Sequence, residues 1–293
     1  MPRLEDAAVR LAESHTVSSH PRRRGSLLER IGGQNDLLRQ AYRYFARASE
    51  AQRPVSYAGE WLLDNFYVVQ QALRQIREDM PASYYRRLPK LGTSALEGYP
   101  RIYGVARELV QLCESHLDAN RVEGFIQVYQ GVTPLTIGEL WALPSMLRIG
   151  ISERLSQAIA QVTGLKAPAE DKALEADDLE AEAVVANCII SLRFLATQDW
   201  KRFFESVSRV EKVLRSDPAG VYARMDFETR DRYRNLVEEL ALSAGLEEER
   251  VAREAIWLAR TAMEEGNGDS RTLHVGFYLL DAGRPQLEAR LGY

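Results

Sequence analysis

Apolar positions recur at steps of three and four along nearly the whole chain, the period of helices with one face turned inward. After Asp199, a residue suited to an N-cap, the series Trp200, Phe203, Phe204, Val207, Val210, Val213 and Leu214 keeps that period until Asp217-Pro218 interrupts it, which predicts one helix with a buried face. A second helix opens near Ser56, carries Leu62, Phe66, Val69, Leu73 and Ile76 inward, and closes at Glu78, Asp79 and Pro81. Thr136 and Glu139 have capping-box spacing and start a third, which continues past Pro144, a kink point, to Gly164. Asp226 starts a fourth that ends near Gly245, and Glu247, Glu248 and Glu249 place negative charge at the start of a fifth ending at Gly266. Shorter helices are predicted at 3–14, 33–51, 101–116, 119–130, 174–196 and 284–291. Asn267-Gly268 has hairpin chemistry but lacks alternating apolar flanks, so it reads as a helix-to-helix loop. The fold class is therefore all-α, a multi-helix antiparallel bundle, with two packed helical subdomains as the arrangement that fits best.

Two stretches break the pattern. Residues 1–26 read as a flexible arm, because Ser14 to Ser26 is polar and holds Arg22-Arg23-Arg24. Residues 166–173 read as a linker that runs into an acidic stretch ending near Glu182. They delimit one helical subdomain at 27–165 and another at 174–293.

Composition narrows the function. The 293 residues carry a formal net charge of −4 and 45% hydrophobic residues, so the chain buries a core without metal or disulfide and has no basic excess for nucleic acid. Cys113 and Cys188 lie far apart in apolar stretches and read as reduced, buried thiols. The N-terminus carries Arg3, Glu5 and Asp6 where an export signal needs an apolar run, and the longest uncharged stretch, Gly124 to Gly138, is too short to span a bilayer. A cytoplasmic chain without a membrane-spanning segment is expected. Three arginines at 22–24 are too few to hold a protein on an anionic membrane.

Candidate chemistry concentrates in the first half. Glu60 and Asp64 are four apart on one helix face, a spacing that fits acid–base chemistry and equally fits a salt bridge to arginine, the commoner use. Tyr84, Tyr85, Arg86, Arg87, Tyr99, Arg101 and Tyr103 supply aromatic and guanidinium groups of the kind that stack on a sugar or hold a phosphate, or that join helices. His15, His20, His116 and His274 show no metal-ligand spacing, so neither metal nor cofactor is expected. GxSxG, Walker and GxGxxG motifs are absent.

Several long motifs, in order, resemble the start of bacterial cyclic β-1,2-glucan synthases. They are Glu60-Trp61-Leu62-Leu63-Asp64-Asn65-Phe66-Tyr67, Ile76 to Asp79 with Tyr84 to Leu91, Gly98 to Gly104, Gln127 to Trp141, Asp217 to Arg234, His274 to Asp281, and Leu287 to Tyr293. The resemblance covers about residue 26 to the end. It implies membership of a large inner-membrane enzyme whose cytosolic transferase draws on UDP-glucose, with further domains that close and trim the β-1,2-glucan. This chain is similar only to the helical region ahead of the first membrane helices. It lacks the Asp-x-Asp and Gln-x-x-Arg-Trp motifs of a processive transferase, so no catalytic residue carries over and the isolated chain is expected to be inactive.

What the resemblance does mark is a set of distinctive positions, Trp61, Asp64, Asn65, Arg101, Glu139, Trp141, Arg224, Asp226 and Arg230, to which Tyr67 is added from the same motif. They are expected to form a surface for a partner or ligand. The implied role is a non-catalytic module, or truncated fragment, that scaffolds a UDP-glucose-dependent transferase at the cytoplasmic face of the inner membrane. Its partners would be the remainder of the synthase and β-1,2-glucan. The alternative is a free-standing helical adaptor that binds a protein through an exposed aromatic face.

Overall fold

A computed structural model describes residues 2–20, 25–92, 95–165, 178–266 and 269–292. The structure is 77% helical, with fourteen α-helices and no strands among the described residues, so the fold is all-α. Two isolated antiparallel bridges, Val17 with Leu91 and Lys90 with Pro100, are its only extended pairings among them. The expected linker at 166–173, Arg22-Arg23-Arg24 and the Asn267-Gly268 loop lie outside the described residues. Contacts group the chain into two units, Met1–Thr133 with Trp141–Asp199, and Pro134–Leu140 with Trp200–Tyr293.

The first unit begins with α1 (Pro2–Ser14), the helix expected at 3–14 within the arm. Ala7, Ala8 and Ala12 are buried, and α1 packs on α6 (Ala119–Val132). The small residues let two backbones approach, and Thr133 Oγ1 donates to the Ala12 carbonyl at 3.0 Å. His15 meets the Tyr129 hydroxyl at 2.9 Å one turn away, so the pair runs antiparallel. A polar sequence hides this because the buried face is built of alanine rather than large apolar residues.

Next come α2 (Leu27–Glu50) and α3 (Tyr57–Asp79), capped by Ser26 and Ser56, whose hydroxyls accept from the Leu28 and Gly59 amides. The α3 helix opens and closes where the sequence predicted. These helices also run antiparallel, Tyr42 stacking on Phe66 at 4.5 Å while Gly59 lies against Phe45. A Cβ on Gly59 would stand 2.5 Å from the Phe45 ring, so only glycine allows this approach. Short α4 (Ala82–Arg87) and then α5 (Arg101–Leu112) follow. Helix α7 (Ile137–Thr163) takes Pro144 into its interior and is buried over most of its length. Helix α8 (Asp178–Thr197) buries Val185, Cys188, Ile189, Leu192 and Leu195 and packs on α3. This contact groups α8 with the first unit. Burial pushes the Cys188 thiol up to about 12, and both cysteines are free and buried.

In the second unit the single helix predicted after Asp199 is two, α9 (Trp200–Val207) and α10 (Arg209–Leu214). Ser208 takes an extended conformation between them, and its hydroxyl accepts from the Glu211 amide at 3.2 Å, restarting the helix. Phe203, Phe204, Val207, Val210 and Leu214 nevertheless stay buried, because the break falls between inward positions. Helix α11 (Phe227–Ala244) begins at Asp226 and ends at Gly245 in the left-handed conformation, as predicted. Helix α12 (Glu248–Glu264) packs against α10, α11, α13 (Val275–Leu280) and α14 (Arg284–Leu291). No helix among the described residues is long and apolar enough to cross a membrane.

Candidate functional site

The residues marked by the sequence are distributed over both units. On α3, Glu60, Asp64 and Tyr67 face solvent, and Trp61 is half-buried with its ring edge-on to Tyr57 at 6.1 Å. Asn65 is buried instead, its amide nitrogen donating to the Trp61 carbonyl at 2.8 Å and its oxygen accepting from Arg193 of α8. A residue expected on a recognition surface is thus a tie between helices. Arg101 is also buried, beside His15, whose pKa is lowered from 6.5 to about 4 first by burial and then by that guanidinium.

The tyrosines and arginines around it join helices as well. The Tyr103 hydroxyl donates to Glu153 of α7 at 2.8 Å, and Arg30 of α2 reaches the Tyr99 hydroxyl at 3.4 Å. Glu139 is wholly buried and completes the capping box in both directions: its carboxylate accepts from the Thr136 amide at 3.0 Å, and Thr136 Oγ1 accepts from the Glu139 amide at 3.1 Å. It therefore holds a helix start and offers no face to a substrate. Trp141, two residues on, is half-buried.

In the second unit, Asp226 is the N-cap of α11, taking the Thr229 amide at 2.8 Å and the Thr229 hydroxyl at 2.9 Å. Arg224 is exposed and donates to the Gly220 carbonyl at 3.0 Å. Arg230 points inward and leads to the polar centre of this unit, donating to the Met225 carbonyl at 2.6 Å and pairing with Glu205.

That centre is built on Glu211, which is fully buried on α10. One carboxylate oxygen accepts from the Tyr222 hydroxyl at 2.7 Å and from Arg234 at 2.8 Å. The other meets Arg215 at 2.8 Å and Arg230 at 3.3 Å. Beside it, Asp217 accepts from the amides of Val221, Tyr222 and Val275 and lies 2.9 Å from His274 Nδ1. Burial opposes ionisation of Asp217, but the His274 contact and the backbone donors outweigh it and hold the carboxyl below its ordinary value. The far nitrogen of His274 meets the Tyr233 hydroxyl at 3.1 Å.

An Asp–His–Tyr chain has the outline of a proton relay, yet here it ends on a tyrosine whose pKa burial raises. Glu211 and Asp217 each spend both oxygens on internal donors, so neither is open to a substrate. Sequence reasoning passed over Glu211 and Arg234, although a carboxylate set among Val207, Val210 and Leu214 was itself a signal that a buried cation faces it. Among the described residues no group of His, Cys, Asp or Glu is placed to hold a metal ion.

Comparison with known proteins supports the resemblance read from the motifs. The chain is 29% identical, in an alignment 332 positions long, to the cyclic β-(1,2)-glucan synthase NdvB of Rhizobium meliloti (strain 1021). The alignment takes in 89% of this chain and 12% of that protein, so the chain corresponds to a small part of the curated relative it matches. No family model matches.

Proposed function

We propose that this chain is a non-catalytic helical module of cyclic β-1,2-glucan synthesis, serving to scaffold a UDP-glucose-dependent glucosyltransferase at the cytoplasmic face of the inner membrane. The observation that carries the reading is the alignment itself: nearly all of this chain matches about one eighth of a glucan synthase. The polar geometry supports it. The buried carboxylates Glu139, Glu211 and Asp217 serve caps and internal ties, which is what a rigid support requires and what a general acid or base cannot tolerate. Glu60 and Asp64 stand on an exposed helix face without the enclosure that acid–base catalysis on a glycoside needs.

The test is complementation. The relative NdvB lacking the matched segment should make cyclic glucan again when this chain is co-expressed with it, and the two polypeptides should co-purify. The isolated chain should transfer no glucose from UDP-glucose to linear β-1,2-glucan. Transfer by the isolated chain, or absence of both association and rescue, overturns the proposal.

A further inference from the structure

The C-terminal half of α2 and the loop after it form an open groove of about 650 Å³ that the ties described above do not use. Gln40, Arg43, Tyr44, Arg47, Arg53 and Pro54 line it. Arg43 and Arg47 are four apart on the helix, so both point to the same side. Arg53 is brought back to them by the turn at Gln52, where φ is 53° and the Arg53 amide donates to the Ala48 carbonyl at 2.9 Å.

Each of these guanidinium groups is exposed, and none has a hydrogen bond or ion pair to a described residue. Glu50, one turn beyond Arg47, makes no ion pair with it. This contrasts with Arg209, Arg215, Arg230 and Arg234, each of which meets a carboxylate.

Like charges four apart on a helix repel and weaken it. The helix dipole relieves only the cation in the last turn, Arg47. Arg43 lies too far back and Arg53 lies beyond the helix, so ordinary helix electrostatics leave both unexplained. Here they surround a concavity with a tyrosine ring, 55% exposed, on its wall. Planar guanidinium forks match the oxygens of a phosphate, and the Tyr44 ring offers a face on which a sugar or base can lie.

We infer that the groove formed by Arg43, Tyr44, Arg47 and Arg53 binds a phosphate-bearing ligand. Two sources share that chemistry, a soluble phosphate ester and an anionic phospholipid headgroup. The inference stands on this groove alone and is independent of the role proposed above.

The test uses the full chain, titrated with inorganic pyrophosphate by calorimetry and sedimented with phosphatidylcholine vesicles with or without phosphatidylglycerol. Arg43→Gln with Arg47→Gln should weaken whichever binding is seen by about tenfold or more, since each removes a charge-assisted hydrogen bond to the phosphate. Arg74→Gln with Arg77→Gln, on the exposed side of α3, removes equal charge and should leave binding nearly unchanged. Pyrophosphate binding lost only in the first variant supports a soluble ligand, and phosphatidylglycerol-dependent sedimentation lost only there supports a headgroup. Neither binding, or equal weakening in both variants, overturns the inference. All four positions are exposed, and unchanged circular dichroism confirms that the variants fold.

Discussion

In the second unit Glu211 and Arg234 lie wholly out of solvent and satisfy one another, with Tyr222, Arg215 and Arg230 completing the carboxylate's bonds. In the first, Gln34 is buried almost as deeply, yet neither amide atom has a hydrogen-bond partner among the described residues. One unit thus gathers opposite charges into a single network at the centre of its packing, while the other keeps its buried charges, Arg101, Arg148 and Glu153, apart and joins its helices by separate ties such as Tyr103 with Glu153 and Asn65 with Arg193. Buried charge is tolerable only where every partner is present, so the second unit should be the more sensitive to loss of one side chain. The first should respond mainly to changes of shape.

The largest effect should come from Glu211→Ala, which strands Arg234 and should destabilise the protein by about 3–5 kcal/mol in urea unfolding. Adding Arg234→Met should recover part of that loss, and strict additivity of the two would break the comparison. In the first unit, Gly59→Ala drives a methyl into the Phe45 ring and should cost about 1–3 kcal/mol by the same measurement.

Acid and alkali should separate the units further. His15 has its folded pKa lowered to about 4 by burial and by Arg101, so the unfolded state binds more protons and stability is lost as pH falls from 6.5 towards 4. Glu248 in the second unit accepts from the Ile137 amide at 2.8 Å, but burial raises its pKa from 4.5 to about 8. There the folded state binds more protons, so stability is lost as pH rises from 4.5 to 8. Melting temperatures across pH should show His15→Gln flattening the acid side and Glu248→Gln raising stability at pH 8 but not at pH 4.5. The smallest effect should be Gln34→Leu, which removes an unpartnered buried amide and should stabilise the protein by about 1 kcal/mol.

Much of the helical framework was legible because its signals are local. Ser56, Asp226 and Gly245 cap their helices as their residue types require, and Thr136 with Glu139 closes the capping box that its spacing announced. The break at Ser208 was not legible, since the apolar period runs through it unchanged. Nor was the burial of α1, whose inward face is alanine. Among the marked positions, Glu139, Asn65 and Arg230 are interior ties and Arg101 is buried beside His15, while Asp64, Tyr67 and Arg224 lie on the surface.

Local signals alone established that the chain is helical and where most helices begin and end, and they carried motifs that resemble those of glucan synthases, because caps, periodicity and motif order are properties of neighbouring residues. Which charges are used up and which are free followed from the packing. Glu211 and Arg234 are 23 positions apart, and Arg53 joins Arg43 and Arg47 through a turn, so their pairing or isolation depends on distances that the linear order does not contain.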